Sequence, residues 1–68
     1  MRETTKTEKQ VLNYLNGLRI SGITNMFGAR PYIIEMFEMD RTEAGRLLAL
    51  WMQNFNEDGN YEQVKMEV

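Results

Sequence analysis

Apolar side chains recur at intervals of three and four residues in three stretches of the chain, which is the spacing of one face of an α-helix. We predict helices over residues 8–20, 31–38 and 41–55. Apolar stripes on three short helices can enclose a single core. The side chains expected to form that core are Val11, Tyr14, Leu15, Leu18, Ile33, Phe37, Ala44, Leu47, Leu48, Trp51 and Phe55.

Capping residues place the starts of these helices. Thr7 is followed three positions later by Gln10, and such a pair can cap a helix through reciprocal hydrogen bonds. Pro31 suits the first position of the second helix, where its missing N–H costs nothing. Asp40 and Glu43 have the spacing of a cap for the third helix. The corner between the second and third helices is therefore predicted to be tight, as in helix–turn–helix units.

The C-terminal residues alternate between apolar and polar positions. Val64, Met66 and Val68 are separated by single polar residues, which is the period of a β-strand. A strand needs a hydrogen-bonding partner, and one candidate is the segment Ile23–Met26 between the first two helices. That pairing would give a reduced winged-helix domain with a short C-terminal strand. The alternative is a disordered tail.

The length of 68 residues suits one small domain. We divide the chain into a flexible N-terminus over residues 1–6, a three-helix domain over 7–55, and a tail or short strand over 56–68. The predicted fold class is all-α or mainly α, with a helix–turn–helix corner between the second and third helices.

The amino-acid composition argues against several kinds of catalytic and metal-binding site. The chain has no cysteine and no histidine, so it lacks thiolate metal ligands and the commonest general base. Ser21 therefore has no histidine to activate it as a nucleophile. No apolar run approaches the roughly 20 residues that span a bilayer, and the polar N-terminus is unlike a secretory signal. We expect a cytoplasmic protein with no enzymatic activity, no cofactor, no bound metal and no membrane contact.

Charge is distributed unevenly along the chain. Residues 1–30 carry five basic and two acidic side chains, whereas residues 31–68 carry three basic and eight acidic ones. The overall net charge is −2. Nucleic-acid-binding proteins usually carry a basic excess, because phosphate contacts supply much of their affinity. Any DNA-binding surface on this chain would have to be a local basic patch.

The segment 33–48 resembles the helix–turn–helix pattern of many repressors. Ala44 and either Leu47 or Leu48 fall at buried positions of that pattern, and Met39 falls at the apolar position in the turn. Two helices packed without DNA produce similar spacing. The segment therefore predicts a tight corner between the second and third helices. DNA binding is one of the functions that such corners serve.

Two positions depart from the repressor pattern. Ile34 stands where a small residue is usual, and Glu38 stands where the turn usually has glycine. If the resemblance extends to function, the start of the third helix would contact DNA bases and phosphates. The side chains assigned to that contact are Arg41, Thr42 and Arg46, with support from Arg19 or Arg30. The alternative is that the arginines of the third helix only solvate an exposed face.

A longer segment, residues 15–52, resembles a small family of uncharacterised phage-encoded proteins. The resemblance is carried by the connector from Leu18 through Thr24-Asn-Met-Phe-Gly-Ala to Pro31-Tyr, and by Trp51-Met later in the chain. The resemblance implies that the protein acts in a bacterial cell under infection. It implies no activity, because that family has none assigned. The cytoplasm of a host bacterium would then be the location.

The connector and two off-stripe leucines are candidates for binding another protein. Met26 and Phe27 could pack inward before the second helix, or could form an exposed apolar hook. Leu12 and Leu50 lie off the main stripes and could form an exposed patch. The methionines expected to fill irregular space in the core are Met26, Met36, Met39 and Met52.

Two functions follow from these patterns. The first is a small non-catalytic protein-binding or regulatory module that docks on a bacterial host protein or on a second copy of itself. Its candidate contact residues are Met26, Phe27 and Leu50. The second is a helix–turn–helix DNA-binding regulator. The acidic second half of the chain favours the first function over the second.

Overall fold

The computed structural model describes residues 2–22 and 25–65 of the chain. The elements in this part are mainly helical, with one two-stranded antiparallel sheet. In chain order they are β1 (Arg2–Glu3), α1 (Lys6–Ser21), a 3₁₀ turn (Met26–Gly28), α2 (Arg30–Phe37), α3 (Arg41–Asn54) and β2 (Gln63–Val64). The predicted fold class, a mainly helical domain with a short strand, is confirmed.

The sheet joins the two ends of the described chain. Arg2 pairs with Val64 and Glu3 pairs with Gln63. Thr4 extends the pairing, because its backbone N–H donates to the carbonyl oxygen of residue 62 at 3.0 Å. The prediction of a flexible N-terminus over residues 1–6 is therefore wrong for residues 2–6, where backbone pairing and the start of α1 fix the chain.

The predicted partner of the C-terminal strand is also wrong. β2 pairs with β1, and Met26 lies in the 3₁₀ turn instead of a strand. Residues 23 and 24 of the predicted partner, and Met66 and Val68 of the predicted strand, lie outside the described residues. The alternation of apolar and polar residues indicated a C-terminal strand. Its partner could not be predicted, because the paired residues are 60 or more positions apart in the sequence.

Helix α1 begins earlier than predicted, because Thr5 caps it and Thr7 does not. The Thr5 hydroxyl accepts a hydrogen bond from the Glu8 backbone N–H at 3.1 Å, and the Glu8 carboxylate accepts from the Thr5 N–H at 2.8 Å. Both Thr5 and Thr7 have a suitable residue three positions ahead. The Glu8 carboxylate is also held by Arg2, which favours the first pair.

The corner between α2 and α3 has a left-handed residue. Helix α2 ends at Phe37, and Glu38 follows with φ 51° and ψ 46°. A side chain in this region costs about 1–2 kcal/mol, which is why glycine is usual there. Asp40 then caps α3 by accepting from the Glu43 N–H at 2.8 Å, as predicted. Three residues therefore separate the two helices.

The core contains residues that lie outside the apolar stripes predicted for the three helices. Leu12 and Leu50, predicted to form an exposed patch, are fully buried. Tyr61 and Val64 of the C-terminal segment belong to the same cluster, so the tail covers apolar surface that three helices alone would leave exposed. The buried hydrophobic side chains are Val11, Leu12, Leu15, Leu18, Ala29, Ile33, Ala44, Leu47, Leu48, Leu50, Trp51, Tyr61 and Val64.

Several residues predicted for the core lie at its edge. Tyr14, Phe37 and Phe55 are half-buried and pack against the cluster. Met36 and Met52 are exposed, so their predicted role as core fillers is wrong. Helix α2 is only eight residues long and fully buries one side chain, Ile33. None of the helices in the described part of the chain is long and apolar enough to cross a membrane.

Candidate functional site

Arg46, a candidate DNA contact, is bound within the molecule. Its guanidinium forms two hydrogen bonds to the Glu43 carboxylate, at 2.5 and 3.0 Å. It also donates to Glu8 Oε2 at 3.3 Å. The Arg46 bonds lower the pKa of Glu43, with burial opposing the shift. Reading a base would require breaking these contacts.

Glu8 is the centre of this ionic cluster, which we define as Arg2, Glu8, Glu43 and Arg46. Only 4 % of Glu8 is exposed, and two guanidinium nitrogens of Arg2 donate to its carboxylate at 2.8 and 2.7 Å. These bonds, with the Thr5 N–H, lower the pKa of Glu8 to about 2 against the opposing effect of burial. The cluster joins β1, α1 and α3 through charge.

Arg30, at the first position of α2, lies against α3 at Gly45. A Cβ atom at position 45 would stand 3.0–3.2 Å from three atoms of the Arg30 guanidinium group. The missing side chain therefore allows the guanidinium to lie close to the helix. Arg41 is the first residue of α3, and Arg30 contacts the same helix at Gly45, in its first half.

Arg41 and Thr42 are exposed at the start of α3. Neither side chain forms a hydrogen bond or ion pair with the part of the chain that the structure describes. Arg19 lies elsewhere, with its guanidinium carbon 4.7 Å from the centre of the Phe55 ring. Phe55 follows the last residue of α3, and fourteen residues of helix extend about 20 Å. The predicted set of basic residues is therefore divided between the two ends of α3.

The three residues predicted to bind a partner do not form an exposed surface. Leu50 is fully buried, so its assignment to a binding patch is wrong. Met26 is half-buried and packs against the core, as the inward alternative expects. The side chain of Phe27 lies outside the described residues.

A polar centre at Asn16 was not predicted from the sequence. Its Oδ1 atom accepts hydrogen bonds from the Trp51 indole N–H at 2.8 Å and the Tyr61 hydroxyl at 2.5 Å. Its Nδ2 group donates to the Asn56 carbonyl at 2.9 Å. One amide thus fixes α1, α3 and the C-terminal segment together, which gives Asn16 a structural role.

Apolar side chains are exposed on α2. Tyr32 and Met36 stand four residues apart, one above the other on the helix, and are 36 % and 58 % exposed. With Tyr14 of α1 and Glu35 they line a groove of about 470 Å³, which we call the α2 groove. The ring of Phe37 meets the Tyr14 ring edge-on, with centres 5.5 Å apart, and supports one wall.

Polar atoms at the α2 groove are without internal partners. Within the described residues, the Glu35 carboxylate forms no ion pair, and the Tyr14 and Tyr32 hydroxyls form no hydrogen bond. The Glu38 carboxylate, just beyond the end of α2 and outside the groove lining, forms no ion pair with these residues either. The periodicity of α2 identified its apolar residues, and Ile33, Met36 and Phe37 were predicted to lie in the core. The short length of the helix was the signal that some would remain outside.

In residues 2–22 and 25–65, no group of three or more acidic side chains is arranged to hold a metal ion.

Comparison with known proteins gives no family for the chain. No protein-family model matches it, and neither a curated protein nor a solved structure is significantly similar to it. The resemblance to phage-encoded proteins and to repressors therefore stays a prediction.

Proposed function

We propose that this protein is a small non-catalytic protein-binding module that acts through the outer face of α2. The observation that carries the proposal is the exposure of Tyr32 and Met36 one helical turn apart, beside the Glu35 carboxylate, which forms no ion pair with the described residues. A phage-encoded regulator that docks on a bacterial host protein would work in this way. Self-association through the same face is the alternative form of the proposal.

The residue types on this face are those that favour protein contacts. Tyrosine and methionine are enriched at the centres of interfaces, and methionine adapts its shape to the partner. The exposed large apolar residues in the described chain are Ile20, Tyr32, Met36 and Met52. Two of these four are neighbours on one short helix, and the others stand on different helices.

Site-specific photo-crosslinking tests the proposal. A benzophenone amino acid placed at position 36 is expected to crosslink a discrete bacterial protein, or a second copy of the chain. The same group at position 52, which is also an exposed methionine on a helix, is the matched control. Equal crosslinking from both positions, or none from position 36, would contradict the proposal.

DNA binding through α3 is the second candidate, and the corner favours it. Glu38 adopts the left-handed conformation that glycine usually supplies in helix–turn–helix units, and Arg41 and Thr42 are exposed just beyond. The internal bonds of Arg46 count against it.

Fluorescence anisotropy with mixed-sequence duplex DNA tests this second candidate. Real phosphate contacts predict binding that weakens steeply between about 50 and about 200 mM salt. Replacing both Arg41 and Thr42 with alanine should then reduce binding without unfolding the protein. Arg46 is unsuitable for this test, because its loss would disturb the ionic cluster as well.

A further inference from the structure

We propose that the α2 groove receives the guanidinium group of an arginine side chain from the partner protein. This inference rests on the proposed protein-binding function and assigns the chemistry of its anchor. It is carried by the two tyrosines, the methionine and the carboxylate that line one groove.

The lining residues match what a guanidinium group requires. Arginine stacks its planar group on aromatic rings and forms paired hydrogen bonds with a carboxylate. Tyr14 and Tyr32 offer aromatic surface from two helices, and Glu35, on α2 with Tyr32, offers the carboxylate. Met36 adds a polarizable apolar surface for the aliphatic part of the incoming side chain.

Charge complementarity points the same way. Glu35 lies on α2 and Glu38 directly follows its last residue, and neither has a cationic partner among the described residues. The one basic residue of α2, Arg30, is directed against Gly45 of α3. On α1, Gln10, Gly17 and Ser21 share the side of Tyr14 and carry no charge. A cation from outside is therefore favoured at this groove.

Nuclear magnetic resonance with a small probe tests the inference on the whole protein. N-acetylarginine methylamide is titrated to about 20 mM, since single-side-chain contacts fall in the millimolar range. Lysine and citrulline counterparts serve as comparisons, because lysine keeps the charge without the plane and citrulline keeps the shape without the charge. Saturable shifts at residues 14, 32, 35 and 36, strongest with arginine, are expected.

Matched variants locate the binding. Glu35→Gln should weaken arginine binding by about two- to fivefold, as expected for an exposed ion pair. Glu57→Gln, which alters an exposed carboxylate in a different pocket beside Ile20 and Phe55, should leave it unchanged. Backbone resonances that remain dispersed in both variants establish that folding is intact.

The results separate this inference from the proposed function. Crosslinking through residue 36 without any shift from the arginine compound would overturn the guanidinium assignment alone. Equal shifts from citrulline or lysine, or shifts centred on Glu57, would overturn it too. Arginine shifts at the groove without crosslinking from residue 36 would support the groove's chemistry and overturn the protein-binding function.

Discussion

The ionic cluster and the α2 groove use similar side chains in opposite ways. In the cluster, Arg2 and Arg46 both bind the nearly buried carboxylate of Glu8. At the groove, Glu35 is exposed and has no cationic partner in the described chain. Charges that are satisfied internally stabilise the fold, whereas unpaired ones remain available to a ligand. This difference, more than the number of charges, is the basis on which we propose a binding role for the groove.

The contrast changes how the arginines are interpreted. Arg46 was a candidate for reading DNA, yet it holds α3 against α1 through Glu8. A charged residue on a helix surface can therefore be a tertiary contact instead of part of a binding face. In the part of the chain that the structure describes, the hydroxyl groups of Tyr14 and Tyr32 form no hydrogen bond.

The largest expected effect is acid destabilisation through the ionic cluster. The pKa of Glu8 falls from 4.5 to about 2 in the folded protein. The ionised carboxylate thus stabilises the fold above pH 4.5, and this contribution disappears as the pH falls towards 2. The shift corresponds to about 3 kcal/mol. Urea unfolding followed by Trp51 fluorescence between pH 7 and pH 2 measures it, and a flat profile would contradict the central role of Glu8.

Glu8→Gln should produce a slightly smaller loss at neutral pH. Glutamine can still cap α1, but Arg2 and Arg46 lose their anionic partner, so we expect unfolding to become easier by about 2 kcal/mol. Glu62→Gln is the control, because the Glu62 side chain is 71 % exposed and its carboxylate forms an exposed ion pair with Lys9. Its effect should stay below about 0.5 kcal/mol. Equal effects of the two changes would remove the distinction between buried and exposed pairs.

Two glycine substitutions compare a position with open space around it and a position in contact with a charged side chain, and smaller effects on stability are expected. Gly17→Ala introduces a Cβ that meets nothing within 4 Å, so helix propensity should stabilise the protein by up to about 1 kcal/mol. Gly45→Ala gains the same propensity but displaces the Arg30 guanidinium. We expect a smaller gain there. Thermal melting of both variants gives the order, and a larger gain at position 45 would show that the Arg30 contact has no stabilising effect.

The smallest effect on stability is expected at the α2 groove itself. Tyr32→Ser and Met36→Ser remove exposed side chains, so each should change the free energy of unfolding by no more than about 0.5 kcal/mol. The same changes should abolish crosslinking from a benzophenone amino acid placed at position 10, which is exposed on the side of α1 that carries Tyr14 and does not line the groove. A large loss of stability from either change would place these residues in the core and contradict the assignment of a binding surface.

The sequence by itself determined the helices and most of the core. Helical spacing located α1, α2 and α3, and the Asp40 cap placed the start of α3 at the observed residue. These features depend on contacts within a few positions along the chain, which is why periodicity and capping chemistry predict them. Ile33, Leu47 and Trp51 were assigned to the core for the same reason and are buried.

Only the tertiary structure decided which surfaces remain open. The pairing of β1 with β2 and the bond from Arg46 to Glu8 join residues 38 or more positions apart. The tail brings Tyr61 and Val64 into the same buried cluster as Leu50, while the short α2 leaves Met36 outside. Periodicity records which side of a helix is apolar. Whether that side is covered depends on which distant segment packs against it.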